Sequence, residues 1–310
     1  MPLTLRKYHH EDDYWHIRSF LRQVFLLNNR RELSWQVARF DYWRWHSVLN
    51  LNDGSLEDVS LWETEDGQIA ALLNPEGLGE AHFSLHPAFY TPELAAEIVM
   101  RAEDSLAVAS PDGQKKLTIW VNEHQTFLKD VLIERGYTHS EYSEFMRYRS
   151  LEEPILDAHA PAGYTVRPLG EGLELLERCY ASGLAFHDDD IHIARDNRDH
   201  PQWYRNLQTA PLYRRDLDIV AIAPDGSVAS FCTVWFDDFT RSAYFEPVAT
   251  VPAHQRRGLG KAVICEGLRR LKRMGATKAF VGSYSPEAHA LYASVGFTEY
   301  ELLESWNTVH

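Results

Sequence analysis

Between residues 255 and 260 the chain reads Gln255, Arg256, Arg257, Gly258, Leu259, Gly260, a Q-x-x-G-x-G element between an apolar stretch (Pro247 to Val251) and an amphipathic one. Residues of these types at this spacing can hold a pyrophosphate. The paired glycines let backbone N–H groups approach the phosphate oxygens, and a helix starting there adds a partial positive charge. Arg256, Arg257 and Lys261 supply full charges. About thirty residues later stands a second element, Ala288-x-x-Leu291-Tyr292-x-x-x-Gly296-Phe297, with a phenol on the next helical pattern. Dinucleotide-binding folds also use such glycines, but they want an early G-x-G-x-x-G and an acidic residue about 20 positions on. Here the loop comes late and the third glycine is absent.

Taken together, the two elements resemble the acetyl-CoA site of the GNAT superfamily of acyl-CoA-dependent N-acyltransferases. The resemblance is specific over Ala243 to Tyr300, and weaker over the rest of the second half. It implies that Gln255, Arg256, Arg257, Gly258, Leu259, Gly260 and Lys261 receive the pyrophosphate of acetyl-CoA. Backbone groups of Ala249, Thr250 and Val251 would serve the pantetheine arm and the thioester carbonyl, and Ser285 and Ala288 would flank the arm. Many family members carry Asn at the position of Ser285; serine still caps the helix but forgoes an amide contact. Tyr292 would face the CoA sulfur and protonate it as it leaves.

Glu246 stands where several members of that superfamily carry a carboxylate beside the acetyl group. An alkyl amine of pKa near 10 is only about one part in 10³ neutral at pH 7, a cost of roughly 4 kcal/mol. A base therefore has something to do, directly or through water. A thiolate like that of cysteine, with a pKa of about 8.5, leaves without comparable help. The implied reaction is direct attack of a primary amine of a small molecule on acetyl-CoA, with no covalent enzyme intermediate. The alternative is a CoA-binding regulatory module or pseudoenzyme that has no acceptor.

His187, Asp188, Asp189 and Asp190, followed by His192, look at first like metal ligands. Consecutive ligands seldom converge on one ion, and no second ligand group at a defined spacing accompanies them. The segment reads as a solvated acidic loop or as a wall of the acceptor pocket, with His187, Asp188 and Asp189 as candidate acceptor contacts, and no metal is expected. His9 to Asp13 reads as a helix start. The run Trp35, Phe40, Tyr42, Trp43 and Trp45 is too dense for one helix face and reads mostly as core, the alternative being that two or three of the rings line a substrate cavity between the halves.

The elements that must position these residues form two similar series. In the second half, Tyr164 opens a strand, Gly172 to Ser182 reads as a helix, and Phe186 to Arg215 as loop and short helix. Strands follow at Asp218 to Ala223, Ser227 to Phe236 and Ala243 to Val251. A helix runs from Gly258 to Gly275, Lys278 to Gly282 is a strand, and Ser285 caps a helix that carries Tyr292. The first half repeats this order. Aligning Pro87 with Pro252 sets Tyr90, Glu93 and Ala95 against Gln255, Gly258 and Gly260, and aligning Gly136 with Gly296 sets Leu132 against Tyr292. The first half thus lacks the phosphate glycines and the phenol, and no CoA is expected there. The expected organisation is a degenerate domain over 1–150, a Pro- and acid-rich linker over 151–163 and a catalytic domain over 164–310. The fold class is α/β of the α+β type: two tandem GNAT-like domains, each a mixed, mostly antiparallel central sheet flanked by helices. Mycothiol synthase belongs to this tandem type, but nothing here identifies its substrate pocket.

Composition sets outer bounds. The 310 residues include 31 Lys and Arg against 45 Asp and Glu, a net charge of −14. That balance argues against general binding to nucleic acid or anionic membrane. Cys179, Cys232 and Cys265 form no C-x-x-C pair and read as buried thiols of a reducing compartment. No apolar leader or 18-residue apolar run is evident. The expectation is a soluble cytoplasmic protein, monomer or homodimer, whose partner is a small amine.

Overall fold

The computed structural model describes residues 2–109, 113 and 115–309. It divides into two compact units: Met1–Met146 with Glu301–His310, and Arg147–Tyr300.

In chain order the first unit begins with β1 (Thr4–Lys7), α1 (Glu11–Leu27) and α2 (Val37–Tyr42), which runs on as a π-helix over Trp43–Leu51. Next come β2 (Ser60–Glu63), β3 (Ile69–Asn74), β4 (Glu80–Leu85) and α3 (Pro92–Ser105). Then follow β5 (Val108–Ala109), β6 (Lys115–Asn122), α4 (Thr126–Glu134) and β7 (Thr138–Ser150), which carries the chain into the second unit. The second unit continues with β8 (Thr165–Pro168), α5 (Leu173–Phe186), α6 (Ile191–Asp199), α7 (Gln202–Leu207), β9 (Asp218–Ile222), β10 (Val228–Asp237) and β11 (Ser242–Thr250). It closes with α8 (Leu259–Arg273), β12 (Lys278–Ser283) and α9 (Pro286–Ala293), and β13 (Glu299–Val309) ends the chain.

Each unit has a mixed, mostly antiparallel sheet with helices against it. In the first the strand order is β1-β2-β3-β4-β6-β13-β7; in the second β8 to β12 lie in sequence order. One ladder in each is parallel, and the two match: Glu80↔Thr118 to His82↔Trp120 between β4 and β6, Ser242↔Lys278 to Tyr244↔Phe280 between β11 and β12. This shared register supports the duplication, but it sets Glu80 against Ser242 where the sequence alignment had set it against Phe245. Beyond the ladder, β11 is three residues longer than β4, nine residues against six.

Two stretches behave differently from their sequence description. The last strand pairs with β6 (Leu303↔Asn122 to Val309↔Lys116), so residues 301–309 lie in the first unit, where the sequence division had run the second to 310. Residues 151–163 are irregular, but Leu151 is buried in the second unit's core, with Ile155 and Ala158 packed against it. Apolar anchors in a Pro-rich segment tie it down.

In the second core, α8 turns Leu259, Val263, Ile264, Leu268 and Leu271 inward, the 3.6-residue spacing expected of it. Gly267 lets the helix sit close to the sheet, since a Cβ there would stand 3.0 Å from Phe245 and 3.1 Å from Val234. In the first core, α3 does the same with Leu94, Ala95, Ile98, Val99 and Ala102. The expected helix start at His9 to Asp13 is present: His10 precedes α1, and the Asp13 carboxylate accepts from His9 N–H at 2.8 Å. Of the aromatic run, Trp35, Phe40 and Trp43 are buried, while Tyr42 and Trp45 are half-buried.

The first unit also buries a charged network. Arg39 bonds Glu144 and Glu76 at 2.9 Å, and Gln36 donates to Glu32. Burial pushes the Glu32 carboxyl up to about 8, against the pull of Arg39. A carboxyl whose folded pKa exceeds its unfolded value holds more protons when folded, so its ionisation erodes stability as pH rises through that window. Glu32→Gln keeps the neutral shape. We expect its urea midpoint to match the wild type near pH 5 and to exceed it increasingly toward pH 8; a constant offset across that range would contradict the assignment.

Candidate active site

Pro247 has no N–H to give to a ladder, and β11 bulges beside it: Cys232↔Val248 is followed by Val234↔Phe245, two residues of β10 against three of β11. The Trp235 indole N–H fills the gap by donating to Glu246 O at 2.6 Å. Past Tyr244 the ladder with β12 ends while β11 continues to Thr250. A cavity of about 600 Å³ opens along this freed stretch, lined by Ala249 and Thr250, by the 255–261 segment, and by one face of α9.

The loop after β11 is held by its own backbone. Val251 N–H donates to Ala229 O at 2.9 Å, its carbonyl accepts from His254 N–H at 2.8 Å, and the Gln255 amide donates to Thr250 O at 3.2 Å. Gly258, at φ 82°, turns the chain into α8 with no side chain capping the helix. The first intrahelical bond there is Ala262 N–H to Gly258 O, so the N–H groups of Leu259, Gly260 and Lys261 precede it. The helix therefore presents its donors to the cavity. In the first unit the matching start is closed: Thr91 Oγ1 accepts from Leu94 N–H at 3.3 Å, and Pro92 removes a donor.

Across the cavity, Ser285 caps α9 by accepting from Ala288 N–H at 3.2 Å, with Pro286 in the first turn. Tyr292 is 7% exposed, its ring edge-on to Phe297, and it lines the cavity. Burial, then the nearby charge of Glu246, pushes its phenol well above the ordinary value. Glu246 itself is half-buried at the bulge.

The cavity gathers Ala249, Thr250, Gln255, Arg256, Gly258, Leu259, Gly260, Lys261, Ala288 and Tyr292 from the sequence-based set. Glu246, Val251, Arg257 and Ser285 lie outside its lining. Val251 cannot offer its N–H to a thioester carbonyl, because both of its backbone groups are already bonded within the fold. Arg257 is exposed and donates to Ala253 O at 3.4 Å. His187, Asp188 and Asp189 are exposed and also lie outside this cavity; Asp189 lines a separate one of about 370 Å³ with Glu177 and Asp225. Asp190 caps α6, accepting from His192 N–H at 2.8 Å.

Sequence reasoning missed Ala185 and Phe186 at the end of α5, Val248 on β11, Glu287, Ala290 and Leu291 on α9, and Ser294 just after it. Of these, Leu291 was readable: it lies three residues from Ala288, which puts it on the same face. Phe186 gave only the hint of an exposed ring closing an amphipathic helix. In the first unit, ligand atoms of Glu76, Glu80 and His82 lie within 4.8 Å of one another. Arg39 bonds both Glu76 oxygens there, at 3.1 and 2.9 Å.

Residues 176–297 match the acetyltransferase (GNAT) family. Among solved structures, a tandem GNAT protein from the clavulanic acid biosynthesis pathway aligns with 99% of this chain and 98% of its own, at 13% identity and a TM-score of 0.65. A GCN5-related N-acetyltransferase from Sphaerobacter thermophilus aligns over 99% and 95%, at 16% identity and a TM-score of 0.63. A GNAT-family acetyltransferase from Colwellia psychrerythraea gives 98% and 99%, 13% and 0.62. At such identities the likeness is one of fold. No curated protein sequence matches the chain. The segment that carries the cavity thus matches the GNAT acetyltransferase family, and the whole chain has the tandem form of that fold. It is an acyltransferase.

Gly258 is required for its backbone angle rather than for space, because a Cβ there meets nothing within 4 Å. Left-handed backbone costs an ordinary L-residue about 1–2 kcal/mol, and Asn less. Gly258→Ala should therefore lower the melting temperature measurably and Gly258→Asn by a smaller amount; equal losses would point to crowding instead.

Proposed function

We propose that the second unit transfers an acetyl group from acetyl-CoA to the primary amine of a small molecule by direct attack. The observation that carries this reading is the uncapped start of α8 at the end of a cavity that runs along the unpaired stretch of β11. The donor set suits a pyrophosphate: side-chain-free backbone N–H groups, a helix start, and Arg256 and Lys261 at the lining. Acetyl-CoA, when bound, supplies the thioester whose carbon the amine attacks.

The chain's own residues then have three tasks. The loop and the α8 start hold the phosphates, and Ala249 and Thr250 border the arm. Glu246 takes the proton that the amine must lose, the more demanding step because so little of the amine is neutral at pH 7. Tyr292 donates a hydrogen bond to the sulfur as charge develops on it. Full proton transfer from this phenol is uphill, because it is held above its ordinary 10 while a thiol sits near 8.5. The hydrogen bond needs no such transfer.

The acceptor would be a small amine, and no nucleic acid or membrane partner is implied by a chain of net charge −14. Among the described residues, no helix is long and apolar enough to cross a membrane. We further propose the reducing cytoplasm as its place, from the free cysteines Cys179, Cys232 and Cys265.

Titration calorimetry with CoA should give one site per chain, since Thr91 and Pro92 close the first unit's helix start. Gly260→Asp should abolish it: a Cβ there already stands 3.3 Å from Leu291, and a carboxylate would repel phosphate. Two equal sites, or unimpaired binding by the variant, would refute the donor assignment. In amine-panel assays that follow thiol release, Glu246→Gln should lower kcat by about 10²-fold, least at high pH where the amine is already neutral. Tyr292→Phe should cost less, with no alkaline loss of activity in the wild type up to about pH 10 from this phenol, because burial holds it above its ordinary value near 10. Full activity of Glu246→Gln across pH would assign the base elsewhere.

A further inference from the structure

Arg178, on α5, is fully buried, and none of its three guanidinium nitrogens has a hydrogen-bond partner among the described residues. Aromatic rings cover it: its Cζ lies 3.4 Å from the ring centre of Phe231 and 4.7 Å from that of Tyr204. Stacking serves the face of a guanidinium and leaves its N–H edge unmet. Asp218 feels the charge of Arg178, yet takes its hydrogen bonds from Tyr204 at 2.7 Å, Tyr213 at 2.8 Å and Thr233 at 3.3 Å. A buried cation without an acceptor is one of the least favourable arrangements a fold can keep. Among the described residues nothing supplies that acceptor, although Asp218 offsets part of the charge.

The position of Arg178 says from which side an acceptor would reach it. Phe231, its stacking ring, pairs with Ala249 across the β10–β11 ladder and packs against Phe186 at 6.0 Å. Ala249 and Phe186 both line the proposed donor cavity, so Arg178 is one side chain removed from it. Thr233 and Trp235 follow Phe231 at strand spacing on the same face of β10. Trp235 donates to the carbonyl of Glu246, and Tyr213, edge-on to Trp235 at 6.3 Å, donates to Asp218. The unmet guanidinium and the strand that carries the proposed base thus belong to one packed layer.

We infer that Arg178 receives the carboxylate of the acceptor, which is therefore an amino-acid-like molecule with an amine at one end and a carboxylate at the other. Charge chooses among anions: a carboxylate balances the single charge of this fully buried guanidinium one to one, whereas a phosphate would bring up to two negative charges into the same buried layer. The amine end rests on the proposed acyl transfer; the carboxylate end rests on Arg178.

The test uses the full chain with acetyl-CoA and a panel of α-, β- and γ-amino acids, each paired with its own carboxamide, followed by thiol release. In the wild type, at least one acid should exceed its amide in kcat/KM by about 10- to 100-fold, the range expected for a hydrogen bond to a charged group. Arg178→Met should erase that preference by raising KM with kcat little changed, the signature of lost binding. Arg178→Lys, which keeps the charge but not the fork, should retain part of it and guards against a variant that merely fails to fold. Calorimetry with CoA, run on all three proteins, separates the two readings. If CoA binds and acids show no advantage over amides, or Arg178→Met keeps the advantage, the carboxylate assignment is overturned and the donor site stands. Turnover of no acid on the panel overturns it equally. If the wild type fails to bind CoA, the donor reading falls first.

Discussion

The site depends on one backbone constraint: β11 can be a central strand for only part of its length. It keeps β10 as a partner from Ser242 to Thr250, but shares only Ser242 to Tyr244 with β12. At Pro247 it has no donor to offer and bulges. From there the edge that faced β12 is free of ladder bonds, and a strand edge without a partner must find other company. The cavity lies along that edge, and its other walls follow from helix packing. Gly267 lets α8 come close to the sheet, so its N-terminus arrives at the end of the freed stretch. Ser285 starts α9 where its second turn brings Tyr292 against Phe297.

The first unit shows what the same backbone becomes when that edge is not kept open. Its parallel ladder has the same three-residue register, yet β4 ends at Leu85. Side chains from the segment before α2 come in beside it. Trp35 donates to His82 at 3.1 Å, His82 stacks on Trp120, and Arg39 ties Glu76 to Glu144. The helix start is capped by Thr91 and stoppered by Pro92. Two changes of local chemistry, a shorter strand and a self-satisfied helix, convert an open groove into core. The network that replaced it is charged and buried, so its members constrain one another: removing one partner would leave another unpaired.

How much of this was legible in the sequence follows from the range of each interaction. The turn at Gly258 into α8, the Ser285 cap and the face of α8 are local, set by residues within one or two turns, and they read correctly. The order of strands around each hairpin was readable for the same reason. Three features were not. The last strand looked like any other terminal strand, and nothing in residues 299–309 announces that its partner is β6, far earlier in the chain. The bulge needed the register of two strands, so Pro247 read as the start of an apolar stretch. The offset between the repeats was misjudged by three residues for that reason, Glu80 pairing in register with Ser242 rather than Phe245. Arg178 sits on an amphipathic helix where an arginine is ordinarily a surface residue; its burial depends on Phe231 and Tyr204, both distant in sequence.

For the proposed acetyl-CoA donor, a polyanion, a chain of net charge −14 is a poor host, and long-range attraction would not be what recruits it. Recognition must be local. At the loop the donors are chiefly backbone N–H groups, whose partial charge survives in any overall field, with Arg256 and Lys261 at close range. At the other end of the cavity the logic reverses. Tyr292 lies close enough to Glu246 to feel its charge, and the more firmly the phenol keeps its proton, the better it serves as a fixed hydrogen-bond donor. A phenol nearer its ordinary value would begin to ionise at alkaline pH and, in the proposed reaction, would set a negative charge beside the departing thiolate. In the proposed reaction burial would give the two groups separate tasks: the half-exposed Glu246 would take the proton of the amine, and the buried phenol would keep its own.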